Sequence, residues 1–425
     1  MNASVPLIVW LAASLAMQAG GDPRSLWMLA PLAGLALAVS LQRDRPTPRA
    51  IARACVVPAL FGGFVLLQAV NASHVWTSEI GHLLARRHIA WLPHSVHAGA
   101  TLIALARYAL IAGAFIVASR LARPEERQSF RAMLVVGGFV LAVGAMLLRP
   151  ADGSARQPMG PFGNENHFAA YMNLLIPVGL GLGAELNRAR HTRGNNPAYL
   201  IYFAVGCMAA AVAVSESRAG ILIAAALLLA WTLTEWRRSA GGDRARRLWL
   251  PLALCAALVA TFAAPLLARQ WDSLRGPGLR LVVEHRLLIW SGAWRMALDH
   301  PASGIGAGAF ADAFPYYQPD ALAGAVVRAA HNDWIQAAAE LGAPGLILLA
   351  IVLATALSPL ARSGPIDADG RTRTAVLLAL GGLAVHATVD FPLTIPAIPL
   401  LAATLAGLAC AGARQPVARI GAGIC

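Results

Sequence analysis

The segment Arg328-Ala-Ala-His331-Asn332-Asp333-Trp334-Ile335-Gln336-Ala-Ala-Ala-Glu340-Leu-Gly342-Ala-Pro344-Gly345 sets a titratable histidine at the mouth of an apolar helix. Asn332, Gln336 and Glu340 recur every fourth residue, so the spacing predicts a short helix over 333–341 with one polar stripe, stopped by Gly342 and Pro344. His331 falls at its N-terminus. The positive end of the helix dipole disfavours an imidazolium there, so the position suits a neutral ring that accepts a proton, as a general base must. Past Pro344 the chain is apolar as far as Leu360, which is span-like.

That apolar run is one of many. The chain of 425 residues is 58% hydrophobic and only 13% charged, with a mean hydropathy of +0.60, a composition that excludes a soluble domain of this length. Apolar runs lie at about 5–19, 25–41, 54–70, 98–118, 132–148, 167–183, 198–214, 219–235, 248–267, 343–360, 374–389 and 394–413. Each approaches the roughly 20 residues that cross a bilayer core as helix. The expected fold is therefore all-α, a polytopic membrane protein of about 12 transmembrane helices. The first run resembles a signal peptide only loosely: it lacks a basic flank, and removing it would upset the count, so it reads as an anchor.

The net charge of +13 does not point to nucleic acid, because of where it lies. All 34 basic residues are Arg, and 21 of them fall in alternate connections, such as 43–53, 120–131, 188–193, 237–247 and 362–373, and in the tail. By the positive-inside rule those connections are cytoplasmic, and so are both termini. The five cysteines lie in or beside apolar runs or at the C-terminus and imply no disulfide framework.

The remaining polar motifs gather on the other side. One exterior connection, 269–342, is far longer than the rest, and functional groups concentrate on irregular segments held by a rigid scaffold. It contains Arg280-Leu-Val-Val-Glu284-His285-Arg286-Leu-Leu-Ile-Trp290-Ser-Gly-Ala-Trp294-Arg295-Met-Ala-Leu-Asp299, whose spacing predicts a helix on the outer surface with an Arg295–Asp299 pair. Gly304-Ile-Gly306-Ala-Gly308-Ala-Phe310 follows. Gly163-Asn164-Glu165-Asn166-His167 opens the sixth span, Ser215-Glu216-Ser217-Arg218-Ala219-Gly220 joins the seventh and eighth, and His386 with Asp390-Phe391-Pro392 closes the last hairpin. An Arg at the edge of hydrocarbon is costly, so Arg218 either pairs with Glu216 or faces a wet cavity.

Taken together, Asn-x-Asn-His, Ser-x-Ser-Arg-Ala-Gly, the long loop with its Arg-rich helix, Gly-x-Gly-x-Gly-x-Phe and His-Asn-Asp-Trp…Glu-Leu-Gly-x-Pro-Gly resemble the O-antigen ligase and polymerase superfamily over about 161–396. The resemblance implies a GT-C-like glycosyltransferase. It would take glycan from an undecaprenyl-pyrophosphate carrier on the periplasmic face of the bacterial inner membrane. The acceptor it implies is a lipid A core sugar, another lipid-linked glycan or a protein, and the sequence selects none of them. It further implies residues 1–160 as N-terminal helices, 161–413 as the catalytic membrane region and 414–425 as a cytoplasmic tail.

On that resemblance Arg218 and Arg286 hold the pyrophosphate and His331 is the base. Guanidinium groups suit the first role because they bind phosphate bidentately and neutralise a leaving group. Arg280 and Arg295 are rivals to Arg286, and a solvated helix face is the plain alternative for all three. Asn332 and Asp333 read as an orienting network beside His331, and Glu340 as a structural hydrogen-bond partner. Asn164, Asn166, His167 and Asp390 serve equally as caps or as substrate contacts.

No cofactor is expected. A Walker A loop needs a Lys, and the chain has none. No metal is expected either: His82, His88, His94 and His97 fit no compact ligand spacing, and Asp367-Ala-Asp369 reads as a turn. A transporter of lipid-linked sugar would instead place charge inside several spans, where only Arg107 stands clearly.

Overall fold

The computed structural model describes residues 4–16, 25–43, 48–77, 82–121, 123–148, 159–189, 196–238, 277–361 and 368–413. The ninth apolar run, the start of the long loop at 269–276, the arginines of 239–247, Asp367 and the tail at 414–425 lie outside them. Within them the helices are α1 (Ser4–Ala16), α2 (Ser25–Arg43), α3 (Pro48–Val70), α4 (Ala98–Ser119), α5 (Pro124–Leu147), α6 (Glu165–Ala189), α7 (Ala198–Val214) and α8 (Arg218–Arg238). The long loop contributes α9 (Pro277–Asp299) and the single turn α10 (Phe310–Ala313), and α11 (Asp333–Ala361), α12 (Ala368–His386) and α13 (Ala397–Ala413) complete the set. Eleven of the twelve apolar runs thus coincide with a described helix.

Five of these helices are long and apolar enough to cross a membrane: 98–119, 124–147, 165–188, 218–238 and 333–361. Shorter apolar helices cover 29–40, 56–70, 198–214 and 397–411. Large apolar side chains such as Leu222, Leu229, Ile347 and Ile351 stand exposed along α8 and α11, as they do where lipid replaces water as the solvent. This is a helical membrane protein. One element departs from an all-α fold: β1 (His74–Thr77) pairs antiparallel with β2 (His82–Ala85) in the connection after α3. Val75, Trp76 and Thr77 give β1 a β-branched and aromatic run that favours strand.

Helix α6 is the hub of the bundle. From Phe168 to Leu182 it is buried on every side, packed by α5, α7, α8 and α12. Close approach depends on small residues, as usual between membrane helices. A Cβ at Gly179 would lie 2.4 Å from Val205 of α7.

At one end of the bundle charge pairs replace apolar contact. Arg131 of α5 grips Glu185 of α6 with two bonds of 3.0 and 2.8 Å, while Thr372 of α12 donates to the same carboxylate at 2.7 Å. Glu235 of α8 accepts from Arg371 at 2.9 Å and Arg238 at 3.1 Å. Removing one partner of a buried pair costs about 3–5 kcal/mol, so this end is firmly tied. The opposite end carries the long loop.

The loop has its own core. Ile289, Ala293 and Met296 of α9 bury against Ile305, Phe310, Phe314, Leu322 and Ala330. The glycine run threads between this core and the bundle: Gly306 takes φ 100°, and a Cβ there would lie 2.2 Å from Ser95 Oγ. The predicted stop at Gly342 is a sharp break. Gly342 adopts φ 61° and ψ −178° inside α11, dividing it into a polar first part and an apolar second.

A candidate active site at the loop end

The site is built where the start of α11 meets the turn between α12 and α13. Asn332 is the N-cap of α11, its Oδ1 accepting from the backbone N–H of Trp334 at 3.0 Å and of Ile335 at 3.1 Å. Its amide donates to Thr388 O at 2.9 Å. Asp333 adds two further ties: its N–H donates to Ala387 O at 2.8 Å, and its Oδ2 accepts from Leu393 N–H at 2.8 Å. Both side chains are buried, so these two residues, expected beside His331, hold the helix on the turn.

The result is an unusual seat for His331. Its backbone is left-handed, φ 51°, a conformation that costs a residue with a Cβ and persists only where surroundings impose it. Its carbonyl accepts from Trp290 Nε1 of α9 at 3.3 Å. Its Nδ1 lies 3.3 Å from Asp390 Oδ1, with the histidine side chain 32% exposed and the aspartate 1%. With Nδ1–H donated to the carboxylate, Nε2 carries the free lone pair. A base oriented by a buried carboxylate is the arrangement that proton abstraction needs.

Asp390 sits in a dense cluster. Burial alone would push its carboxyl up, but the His331 hydrogen bond and the charges of His167, His331 and Arg286 outweigh burial and hold it below the usual carboxylate range. Phe391 stands edge-on between two imidazoles, its ring 4.7 Å from that of His331 and 4.7 Å from that of His167. His386, wholly buried, lies behind.

The three arginines of α9 separate clearly. Arg286 is half-buried and donates to Val389 O at 2.5 Å, next to Asp390. Arg280 forms an exposed pair with Glu284 at 2.7 Å. Arg295 is exposed and donates to Ser291 O and Tyr317 O, each at 3.4 Å, rather than forming the expected pair with Asp299.

A second strand of contacts approaches through α6 and α8. Asn164 caps α6, its Oδ1 accepting from Asn166 N–H at 2.7 Å. Asn166 Oδ1 in turn accepts from the Ser217 hydroxyl at 2.6 Å, and that hydroxyl also accepts from Gly220 N–H at 3.1 Å, capping α8. Arg218, half-buried, is the first residue of α8 and follows Ser217, whose hydroxyl bonds Asn166, the neighbour of His167 in the chain. Glu340 is engaged by Gly308 N–H at 2.8 Å and Gln336 Nε2 at 2.9 Å, the structural part foreseen for it.

The histidines of the strand connection lie apart from this centre. His97 pairs with Asp312 at 2.9 Å, and the rings of His88 and His94 lie 5.0 Å apart. Among the described residues no three His, Cys, Asp or Glu converge as a metal site. A cavity of about 600 Å³, lined by Gln318, Asp320, Val327 and Arg328 among others, opens in the loop. It shares no lining residue with the His331 cluster, although Arg328 is three residues upstream. Phe391 and the His331–Asp390 pairing went unforeseen; the hint was Asp-Phe-Pro four residues after the His that ends α12.

The architecture is that of a helical membrane protein with a His–carboxylate pair and one arginine, Arg286, beside it at one end of the bundle. Residues 203–350 match the family model described as O-Antigen ligase, a match that supports the O-antigen ligase superfamily over that stretch and suggests a glycosyl-transferring enzyme. No curated protein matches the chain. The matched residues include Arg218, Arg286 and His331; His167 and Asp390 lie outside them and join the site only in three dimensions.

Proposed function

We propose that the protein is a metal-independent, inverting glycosyltransferase of the inner membrane. It transfers glycan from an undecaprenyl-pyrophosphate carrier to a sugar hydroxyl of the lipid A core at the periplasmic face. The observation that carries this reading is the His331–Asp390 pair, at 3.3 Å, with Arg286 bonded to the residue before Asp390. The membrane embedding and the O-antigen ligase domain support a lipid-linked glycan as substrate.

In this reading the acceptor hydroxyl gives its proton to His331 Nε2 as its oxygen bonds the anomeric carbon. The bond from that carbon to the pyrophosphate oxygen breaks, and the electron pair leaves with the carrier pyrophosphate. Asp390 keeps Nδ1–H directed inward and offsets the positive charge gained by the ring. Arg286 and Arg218 neutralise the departing phosphates, the largest charge that develops. Such a donor is already activated, so the chemistry assigned to the protein is positioning, proton transfer and charge stabilisation.

The wider arrangement proposed with it is twelve spans of GT-C-like kind, both termini cytoplasmic, residues 161–413 as the catalytic region and the 269–342 loop outside. The alternation of arginine between connections supports that orientation. The test uses purified full-length protein in liposomes with undecaprenyl-pyrophosphate-linked glycan and three acceptors in parallel: lipid A core, a second lipid-linked repeat and an unfolded protein. Transfer to the core alone supports the reading. Transfer only to either of the others moves the acceptor assignment, and transport of the carrier without transfer removes the enzyme assignment.

A further inference from the structure

Behind His331 lie buried polar atoms that the mechanism above does not use. Asp390 Oδ2, His167 Nε2 and both ring nitrogens of His386 make no hydrogen bond within the protein. Their residues are 1%, 5% and 0% exposed, in an interior where polar groups are normally satisfied. They also belong to one neighbourhood. Both imidazoles lie within Coulomb reach of Asp390, and Phe391 spans the distance from the His167 ring to that of His331.

The chemistry of the three groups is complementary. A carboxylate oxygen only accepts, whereas an imidazole nitrogen donates or accepts according to tautomer. Buried in one neighbourhood, they offer the two to four polar partners that hold a buried water.

We propose that one ordered water, bonded to Asp390 Oδ2, His167 Nε2 and a ring nitrogen of His386, locks the Asp390 carboxylate so that Oδ1 stays on His331. His167 is thereby a positioning residue for transfer, acting through Asp390 although it lies outside the stretch that matches the ligase family. The proposal rests on His331 as the base. It divides the work of Asn-x-Asn-His, with the asparagines capping and joining helices and the histidine backing the carboxylate.

The experiment uses full-length protein in nanodiscs and two readouts. In transfer assays, His167→Phe keeps a ring against Phe391 but removes the nitrogen. It should lower kcat about tenfold, a part of the roughly 100- to 10,000-fold a general base supplies, with donor KM unchanged. His167→Gln, which restores a polar nitrogen, should recover most of that loss. In an Asp390→Asn background His167→Phe should change kcat by less than about twofold, the non-additivity of residues acting through one another. Equal losses in both backgrounds, or a rise in donor KM at constant kcat, would overturn the proposal.

The second readout is the ring nitrogen spectrum of His331, assigned with His331→Gln. His167→Phe should reduce the population protonated at Nδ1. An unmoved spectrum sinks the proposal whatever the activity shows. If His331→Ala transfers normally while His167→Phe still shifts the His331 spectrum, the base assignment has failed and the positioning contact stands.

Discussion

The guanidinium of Arg286 hydrogen-bonds the carbonyl oxygen of Val389, 103 residues further along the chain, at 2.5 Å. This contact fastens the helix of the long loop to the turn that holds Asp390, so one side chain is both a latch and, in the proposed mechanism, a phosphate ligand. Arg286→Ala should therefore weaken donor binding about 10- to 100-fold, the worth of one or two charge-assisted bonds. Arg286→Lys should rescue little, because an ammonium cannot serve the carbonyl and also present a planar fork. Donor titration on folded protein checks this, and wild-type affinity in the Lys variant would dissociate Arg286 from the donor.

His331 and Arg218 are assigned different steps. His331→Ala should cost about 100- to 10,000-fold in transfer rate while donor binding stays intact. Arg218→Ala should act mainly on donor affinity. Separate measurement of binding and single-turnover rate tells them apart, and a His331→Ala enzyme of near-normal rate would leave the ring as a feature of the helix entrance only.

Asp390 makes a prediction about acid. Its folded carboxyl is held below the usual range, so its ionised form stabilises the fold fully above the unfolded value of about 3.9, and that stabilisation is lost as pH falls through the lower folded value. The stability difference between wild type and Asp390→Asn should thus be level from neutral pH down to about 4 and shrink below it. Thermal unfolding in detergent across that range measures it. A difference that instead shrinks between pH 7 and 5 would assign the linkage to a histidine.

The glycine run gives a matched pair of variants. Gly306 and Gly324 both have positive φ, 100° and 82°, but only Gly306 is pressed against a neighbour, while Gly324 faces open space. Gly324→Ala should cost about 1–3 kcal/mol at most from backbone strain, and Gly306→Ala more, since Ser95 would have to move as well. Equal melting temperatures for the two variants would contradict the threading described for this segment.

The proposed orientation is tested in a cysteine-free background. A cysteine at exposed position 320 should react with an impermeant reagent in intact cells, and one at position 240, in the arginine-rich connection, should not. The reverse pattern inverts the topology.

Much of the fold was legible because its cause is local. Apolar runs of span length predict helices through hydropathy alone, and Gly342 with Pro344 announces the break in α11. The short hairpin at 74–85 was hidden because the histidines drew the reading toward metal ligands. At the site, His331, Arg218 and Arg286 were proposed from motifs, but the pairing of His331 with Asp390 was not foreseen, since the two are 59 residues apart and meet only when α11 docks on the last turn. For the same reason sequence spacing gave Arg280, Arg286 and Arg295 equal standing. The face of α9 separates them, placing only Arg286 beside the turn that holds Asp390, and that face is set by the loop core of Phe310, Phe314 and Leu322.

The break at Gly342 also bears on how the protein meets membranes of different thickness. The amide of Ala343, which would tie the two parts of α11 together, bonds Pro301 O at 2.7 Å instead. Residues 343–361 extend for about 28 Å as helix, close to a typical hydrocarbon core, and a span adjusts to a thinner or thicker bilayer by tilting. Such a tilt is expected to pivot at Gly342, so that a change of bilayer thickness re-angles residues 343–361 without re-aiming His331, whose seat belongs to the loop and the final turn.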